Sequence, residues 1–136
     1  RMEIEKINNI TIINDSYNAS YDSMKASLEY LKSINGNRKI AVLGDMLELG
    51  KFSEDLHIKV GEEVAKNEVN ILITVGQNAA LINKKAKDLN REIEEIHFDN
   101  NKEAADYLNS IKKEGDIILF KASNGMKFSQ IIEYIK

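Results

Sequence analysis

Val69-Asn70-Ile71-Leu72-Ile73-Thr74-Val75-Gly76 is the stretch that decides the fold. A strand with one face in water alternates polar and apolar residues, whereas a nearly continuous apolar run is the pattern of a strand buried on both faces. The spacing therefore predicts a strand over Val69–Val75, broken by Gly76. Outward from it, Ile40–Leu43 and Asp116–Phe120 read as two more short buried strands, and Glu94–Phe98 as a weaker one. Helical stripes lie between them: Leu56, Val60 and Val64; Ile82, Ala86 and Leu89; Ala104, Leu108 and Ile111; and finally Phe128, Ile131, Ile132 and Ile135. Ser53 is the expected cap of the first of these helices, with Glu54 and Asp55 favourable near its positive end. Towards the N-terminus, Met24, Leu28 and Leu31 mark a helix closed by Asn35-Gly36. Before it, Arg1–Ile7 and Ile10–Asn14 read as strands joined by a hairpin at Asn8-Asn9, because asparagine tolerates positive φ. Strands that alternate with helices imply a Rossmann-like α/β fold. The expectation is a mainly parallel six-stranded sheet with helices on both faces and an antiparallel N-terminal strand.

Composition bounds what such a module does. The 136 residues suit a single domain over 1–136, and 43% hydrophobic content fills one core. A net charge of −3 argues mildly against nucleic-acid binding, which needs concentrated Lys and Arg. There is no cysteine, hence no disulfide and no thiolate chemistry, which fits a reducing cytosol. No apolar run approaches the roughly 18 residues of a membrane span. The chain opens Arg1-Met2-Glu3 without an initiator methionine or an apolar signal segment, so the reading is a fragment with its upstream part missing.

In a parallel sheet, ligands sit beyond the carboxyl ends of the strands, so the loops there carry the chemistry. Asp15-Ser16-Tyr17-Asn18-Ala19-Ser20 packs a carboxylate, a phenol, an amide and hydroxyls onto one strand-to-helix turn. A carboxylate there can accept both hydroxyls of a ribose, and helix-start amides can take an anion. The competing reading, which composition alone favours, is a polar helix cap. Gly44–Gly50 places Asp45 and Glu48 between glycines, either for close approach to a ligand or simply as a tight loop. Lys121-Ala122-Ser123-Asn124-Gly125 follows the last buried strand; Lys121, Ser123, Asn124 and free N–H groups suit a carboxylate. The competing reading has Ser123 or Asn124 capping the next helix and Lys121 in water. His57 and His97 show no metal-ligand spacing, and His57 reads as a hydrogen-bonding residue on a helix rather than a base. No nucleophile triad and no GxxxxGK[ST] phosphate loop is present, so no catalytic residue is assigned, and the chain is not expected to bind and split ATP alone.

Three segments carry a family resemblance. Asn14-Asp15-Ser16-Tyr17-Asn18-Ala19-Ser20 with Asp22-Ser23-Met24 resembles the D-x-Y-N-A-N-P-x-S-M stretch that opens the C-terminal domain of the D-alanyl-D-alanine-adding Mur ligases. Val42-Leu43-Gly44-Asp45-Met46-Leu47-Glu48-Leu49-Gly50, with His57 and Gly61, resembles the family's V-L-G-D-M-x-E-L-G…H…G segment. Lys121-Ala122-Ser123-Asn124 is similar to its K-G-S-R turn. Ser20 and Tyr21 stand where the family has Asn-Pro, but Ser20 keeps a capping hydroxyl. Ala122 and Asn124 stand for Gly and Arg, which removes a charge at Asn124.

The resemblance implies ATP-dependent joining of D-Ala-D-Ala to UDP-N-acetylmuramoyl-tripeptide in peptidoglycan synthesis, in a cytoplasmic enzyme expected to be monomeric, with no nucleic acid or membrane involved. ATP and Mg would be held mainly by a central domain, and the UDP-sugar by an N-terminal domain, both absent from this chain. By position, Asp15 would contact the ATP ribose, with Tyr17 and Asn18 lining the interdomain cleft. Asp45, Glu48, Lys121, Ser123 and Asn124 would serve the dipeptide. No metal ligand is implied here. Two other readings compete. One is a receiver-like signalling domain with Asp45 as phosphoacceptor and Lys121 as its lysine, although Asn14-Asp15 offers one acid where a receiver needs two and Ala122 stands in place of Pro. The other is a non-catalytic interaction module.

Overall fold

Asn8 and Asn9 both take left-handed backbone, with φ of 52° and 62°. They turn β1 (Glu3–Ile7) back onto β2 (Ile10–Asn14) as a tight antiparallel hairpin in which Ile7 faces Ile10. The computed structural model describes residues 2–136, so Arg1 of the predicted first strand lies outside the described residues. After the hairpin come α1 (Tyr21–Ser33), β3 (Arg38–Gly44), α2 (Ser53–Lys66), β4 (Ile71–Val75), α3 (Ala80–Leu89), β5 (Glu94–Phe98), α4 (Asn101–Ile111), β6 (Asp116–Lys121) and α5 (Ser129–Ile135). The six strands form one sheet in the order β1-β2-β6-β3-β4-β5, parallel except at β1. The predicted fold class is the one observed.

Alternate residues of each central strand feed opposite layers. Ile13, Leu43, Leu72 and Leu119 pack under α1, α2 and α3, with Met24, Leu28, Leu31, Val60, Val64 and Ile82. Ile12, Val42, Ile73 and Phe120 pack under α4 and α5, with Leu108, Ile131 and Ile132. Thr74, the one polar side chain in β4, is buried because its hydroxyl donates to Asn83 Oδ1 on α3 and sits 2.8 Å from His97 Nδ1.

Two local expectations shift. The strand predicted over Val69–Val75 begins at Ile71, because Asn70 is drawn out of it. Its side-chain oxygen accepts from Lys39 N–H at 2.7 Å, and its own N–H donates to Lys39 O at 2.9 Å. Ser53 is not a cap. A 3-10 turn at Gly50–Phe52 runs straight into α2, so the chain enters already coiled, with Phe52 at the cap position and Ser53 inside the helix. Ser20 does cap α1: its hydroxyl accepts from Ser23 N–H at 3.2 Å, and Ser23 Oγ accepts from Ser20 N–H at 2.9 Å. Tyr21, one residue on, donates to Glu63 Oε2 of α2 at 2.8 Å; that hydrogen bond pushes the phenol up to about 12, so it stays a donor across the physiological range.

At the amino end of the sheet, Arg38 grips Asp116 with two hydrogen bonds, Nε–Oδ1 at 2.9 Å and Nη2–Oδ2 at 2.8 Å. The same guanidinium donates to Ile111 O at 2.7 Å, and Lys113 N–H donates to Asp116 Oδ2 at 2.8 Å. Asp116 is 1% exposed, and its hydrogen bonds raise the Arg38 pKa above its already high ordinary value. Among the described residues no helix is long and apolar enough to cross a membrane.

The route of the chain fixes where a ligand can sit. From β2 and β3 it leaves for α1 and α2 on one face; from β6, which lies between them, it leaves for α5 on the other. Neighbouring connections therefore part at the carboxyl end of β6, the kind of switch point at which open α/β sheets bind ligands.

Candidate functional site

Asp15 directly follows β2 and Lys121 ends β6, on adjacent parallel strands. Lys121 is 2% exposed, yet its ammonium is fully engaged: Nζ lies 3.0 Å from Asp15 Oδ2, 3.3 Å from Asp15 O and 2.9 Å from Asn18 O. Three acceptors for three N–H bonds offset the cost of burying that charge. Ser27, from the buried face of α1, donates to the same Asp15 oxygen. The loop beyond is built by local side-chain turns. Asn14 Oδ1 accepts from the N–H of Ser16 at 3.2 Å and from its hydroxyl at 2.6 Å, and Asn18 Oδ1 accepts from Ala19 N–H at 2.9 Å.

Two clefts open on this loop, and Tyr17, 58% exposed, lines both. One, of about 290 Å³, holds Asp15, Asn18, Ser27 and Lys121. The other, of about 210 Å³, brings Asn14 and Ser16 together with Asn124 and Lys127 from the turn after β6. The first and third sequence motifs thus meet. Lys121 lies against Asp15, however, not beside Asn124 in the second cleft.

The Gly44–Gly50 loop is pinned at three points. Asp45 Oδ1 accepts from the N–H groups of Asn78 and Ala79, at 3.0 and 2.8 Å, at the start of α3. Met46 N–H donates to His57 Nε2 at 3.0 Å, while His57 Nδ1 lies 2.7 Å from Ser53 O. An amide can only donate and a carbonyl can only accept, so His57 carries its proton on Nδ1 and serves as a buried hydrogen-bonding bridge, as read from the sequence. Leu47 N–H donates to Ser123 Oγ at 2.8 Å. These ties leave Leu47 and Glu48 exposed at the tip, with Glu48 held in left-handed backbone at φ 65°. Gly76 is required beneath the loop: its φ is +112°, and a Cβ there would lie 2.6 Å from Asp45 Cγ.

Ser123 precedes a 3-10 turn without capping it through its side chain, and it is buried. Its N–H donates to Asp45 O at 3.1 Å while its hydroxyl receives Leu47, so it staples the turn after β6 to the loop after β3. A 3-10 turn at Asn124–Met126 and left-handed Lys127, φ 56°, separate it from α5, so neither Ser123 nor Asn124 caps that helix. Asn124 is exposed. Ser27 escaped the sequence reading; its signal was a hydroxyl among Met24, Leu28 and Leu31 on one apolar helix face. Among the described residues no group of three His, Cys, Asp or Glu side chains could hold a metal ion.

Fold and site together define an α/β domain that gathers polar loops at the carboxyl end of its sheet. Residues 1–124 match the family model described as Mur ligase, glutamate ligase domain. The chain belongs to the Mur ligase family, as a C-terminal domain of it. It is 38% identical over 138 residues to the UDP-N-acetylmuramoyl-tripeptide--D-alanyl-D-alanine ligase of Bacillus subtilis, covering 98% of this chain and 30% of that protein. To the ligase of the same name from Rickettsia prowazekii it is 34% identical, covering 98% and 29%. Among solved structures, MurF ligase from Thermotoga maritima in complex with ADP superposes with a TM-score of 0.80 at 28% identity, over 97% of this chain and 29% of that one. A MurF structure from Acinetobacter baumannii gives 0.87 at 26%, over 98% and 29%. The chain thus spans about three tenths of the length of these relatives. Membership replaces the receiver-like and interaction-module alternatives. Physically, the Asp45 carboxylate that a receiver would phosphorylate is 7% exposed and holds the two amides that start α3.

Proposed function

We propose that this chain is the closing domain of a cytoplasmic, monomeric ligase that joins D-Ala-D-Ala to UDP-N-acetylmuramoyl-tripeptide. The observation that carries this reading is the pair of clefts sharing Tyr17, one lined by Asp15 with Lys121 and the other by the Asn14 and Asn124 amides and Lys127, with Glu3 at its wall. A nucleotide and an incoming amine must be held side by side for such a reaction. ATP supplies the phosphoryl group that activates the tripeptide's terminal carboxylate, and the dipeptide amine then displaces phosphate. The phosphate loop and Mg belong to a central domain, and the UDP-sugar to an N-terminal one.

This chain's residues bind and orient. Asp15 Oδ1, on the side of the carboxylate away from Lys121 and Ser27, accepts from the ribose hydroxyls, while Tyr17 and Asn18 line the same cleft. Asn124 takes the dipeptide carboxylate. Glu48, at the tip of the pinned loop, frames its amine. Asp45 and Ser123 act one step back, by holding that loop. Closure of the domain then excludes water from the activated carboxylate.

Two assays test the reading. In the intact protein, ADP release should require the tripeptide nucleotide and D-Ala-D-Ala together, and the isolated chain should turn over no ATP above a buffer control. ADP release indifferent to the dipeptide, or turnover by the isolated chain, contradicts it. A second prediction follows from the staple. Ser123→Ala in the intact ligase should raise KM for D-Ala-D-Ala roughly fivefold, the value of one lost hydrogen bond of about 1 kcal/mol, and leave KM for ATP nearly constant. An unmoved dipeptide KM in a folded variant would separate the Leu47–Glu48 loop from dipeptide binding.

A further inference from the structure

The end of β6 pairs with the wrong partner for a dipeptide site. Lys121 was expected to serve the incoming dipeptide, but all three of its N–H bonds point to the loop after β2: one to the Asp15 carboxylate and two to the carbonyls of Asp15 and Asn18. Nothing remains on that ammonium for a substrate carboxylate, and at 2% exposure it does not reach solvent to exchange partners. Ser27 reinforces it, donating to the same Oδ2 from within the buried stripe of α1. One carboxylate oxygen is thereby tied to β6 and α1, and the rotation of Asp15 about its side-chain bonds is fixed. Among the described residues the hydrogen bonds to this carboxylate all go to Oδ2 and none to Oδ1, and Asp15 lines the cleft with Tyr17 and Asn18.

We infer that Lys121, with Ser27, is a positioning residue for the nucleotide side of the reaction, holding Asp15 Oδ2 so that Oδ1 is presented to a ribose diol, and that it takes no part in dipeptide binding. This rests on the proposed nucleotide role of Asp15. The same contacts also lock the backbone of Asp15 and Asn18, so Lys121 shapes the cleft wall as well as the carboxylate. A carboxylate free to rotate would have to be ordered anew at each binding event, and the energetic benefit of its hydrogen bonds to the diol would fall accordingly.

The test reads sugar discrimination in the intact ligase, because a residue that only stabilises the fold would not move it. Wild type should prefer ATP to 2′,3′-dideoxy-ATP in kcat/KM by roughly ten- to a hundredfold, the worth of hydrogen bonds to a charged acceptor. Lys121→Met should collapse that preference to within about threefold, as should Asp15→Asn, and the double variant should lose no more than either alone. KM for D-Ala-D-Ala should stay at the wild-type value. Should Lys121→Met fail to fold, Ser27→Ala keeps the ion pair and should still lose about three- to tenfold of the preference. A preference kept in full by Lys121→Met or, where that variant does not fold, by Ser27→Ala, and lost in Asp15→Asn, overturns the positioning role while leaving Asp15 on the nucleotide. A raised dipeptide KM with the sugar preference intact returns Lys121 to the dipeptide. Wild type indifferent to the ribose hydroxyls overturns the nucleotide role of Asp15, and the inference with it.

Discussion

Asp116→Ala is expected to cost about 3 kcal/mol or more of folding stability, the range found when one partner of a buried ion pair is removed. For a chain of this length that lowers Tm by on the order of 10–15 °C. The carboxylate is 1% exposed and accepts from Arg38 twice and from Lys113 N–H once. Its loss strands a guanidinium whose remaining acceptor among the described residues is Ile111 O. The Arg38 side chain retains 25% of its exposure, so water recovers part of the loss, which places the effect at the lower end of the range. Thermal unfolding of the purified domain measures it directly. A Tm within 3 °C of the parent would mean that the pair, though well formed, contributes no more than a surface salt bridge.

Asp15→Ala combines two effects that the experiment must separate. In the intact ligase, KM for ATP should rise roughly ten- to a hundredfold, while KM for D-Ala-D-Ala moves little. The same change removes the carboxylate paired with a lysine that is 2% exposed, at a cost of about 3–5 kcal/mol in domain stability. Asp15→Asn resolves the ambiguity, because its carbonyl still accepts from Lys121 while the charge facing the ribose is gone. Kinetics should be measured well below the midpoint of each variant's melt. A folded Asp15→Ala enzyme with unchanged KM for ATP would take Asp15 out of the nucleotide site.

Period and punctuation made the layers legible from sequence. The apolar run ending at Val75, the Asn8-Asn9 turn and the stripes through Leu28, Val60 and Ile131 each determine local geometry, and local geometry is what a sequence carries. The family motifs likewise fall on loops at the carboxyl end of the sheet. They did not reveal how the side chains in those loops are paired. Lys121 and Asp15 are separated by 106 residues, and whether the lysine points at a ligand or at a neighbouring strand depends on β6 lying beside β2. Asp45 read as a site carboxylate because acid between glycines suits a ligand loop; its amide partners, Asn78 and Ala79, begin a helix more than thirty residues on. Ser53 was misplaced for a smaller reason. A hydroxyl before an apolar stripe signals a cap, and the 3-10 turn at Gly50–Phe52 that overrides it leaves no comparable mark.

The strand order also dictates when this domain can come into being. Among the described residues β6, the last strand, is the one that joins β2 to β3, and β2 otherwise pairs with β1 alone. Until Asp116–Lys121 leaves the ribosome, the nascent chain therefore holds two separate pieces of sheet. Each carries an unpaired inner edge flanked by isoleucine, leucine and valine, the kind of surface that invites association between chains. Neither edge is covered until β6 has been made. A truncation a few residues short of β6 produces two open edges rather than a smaller version of the domain.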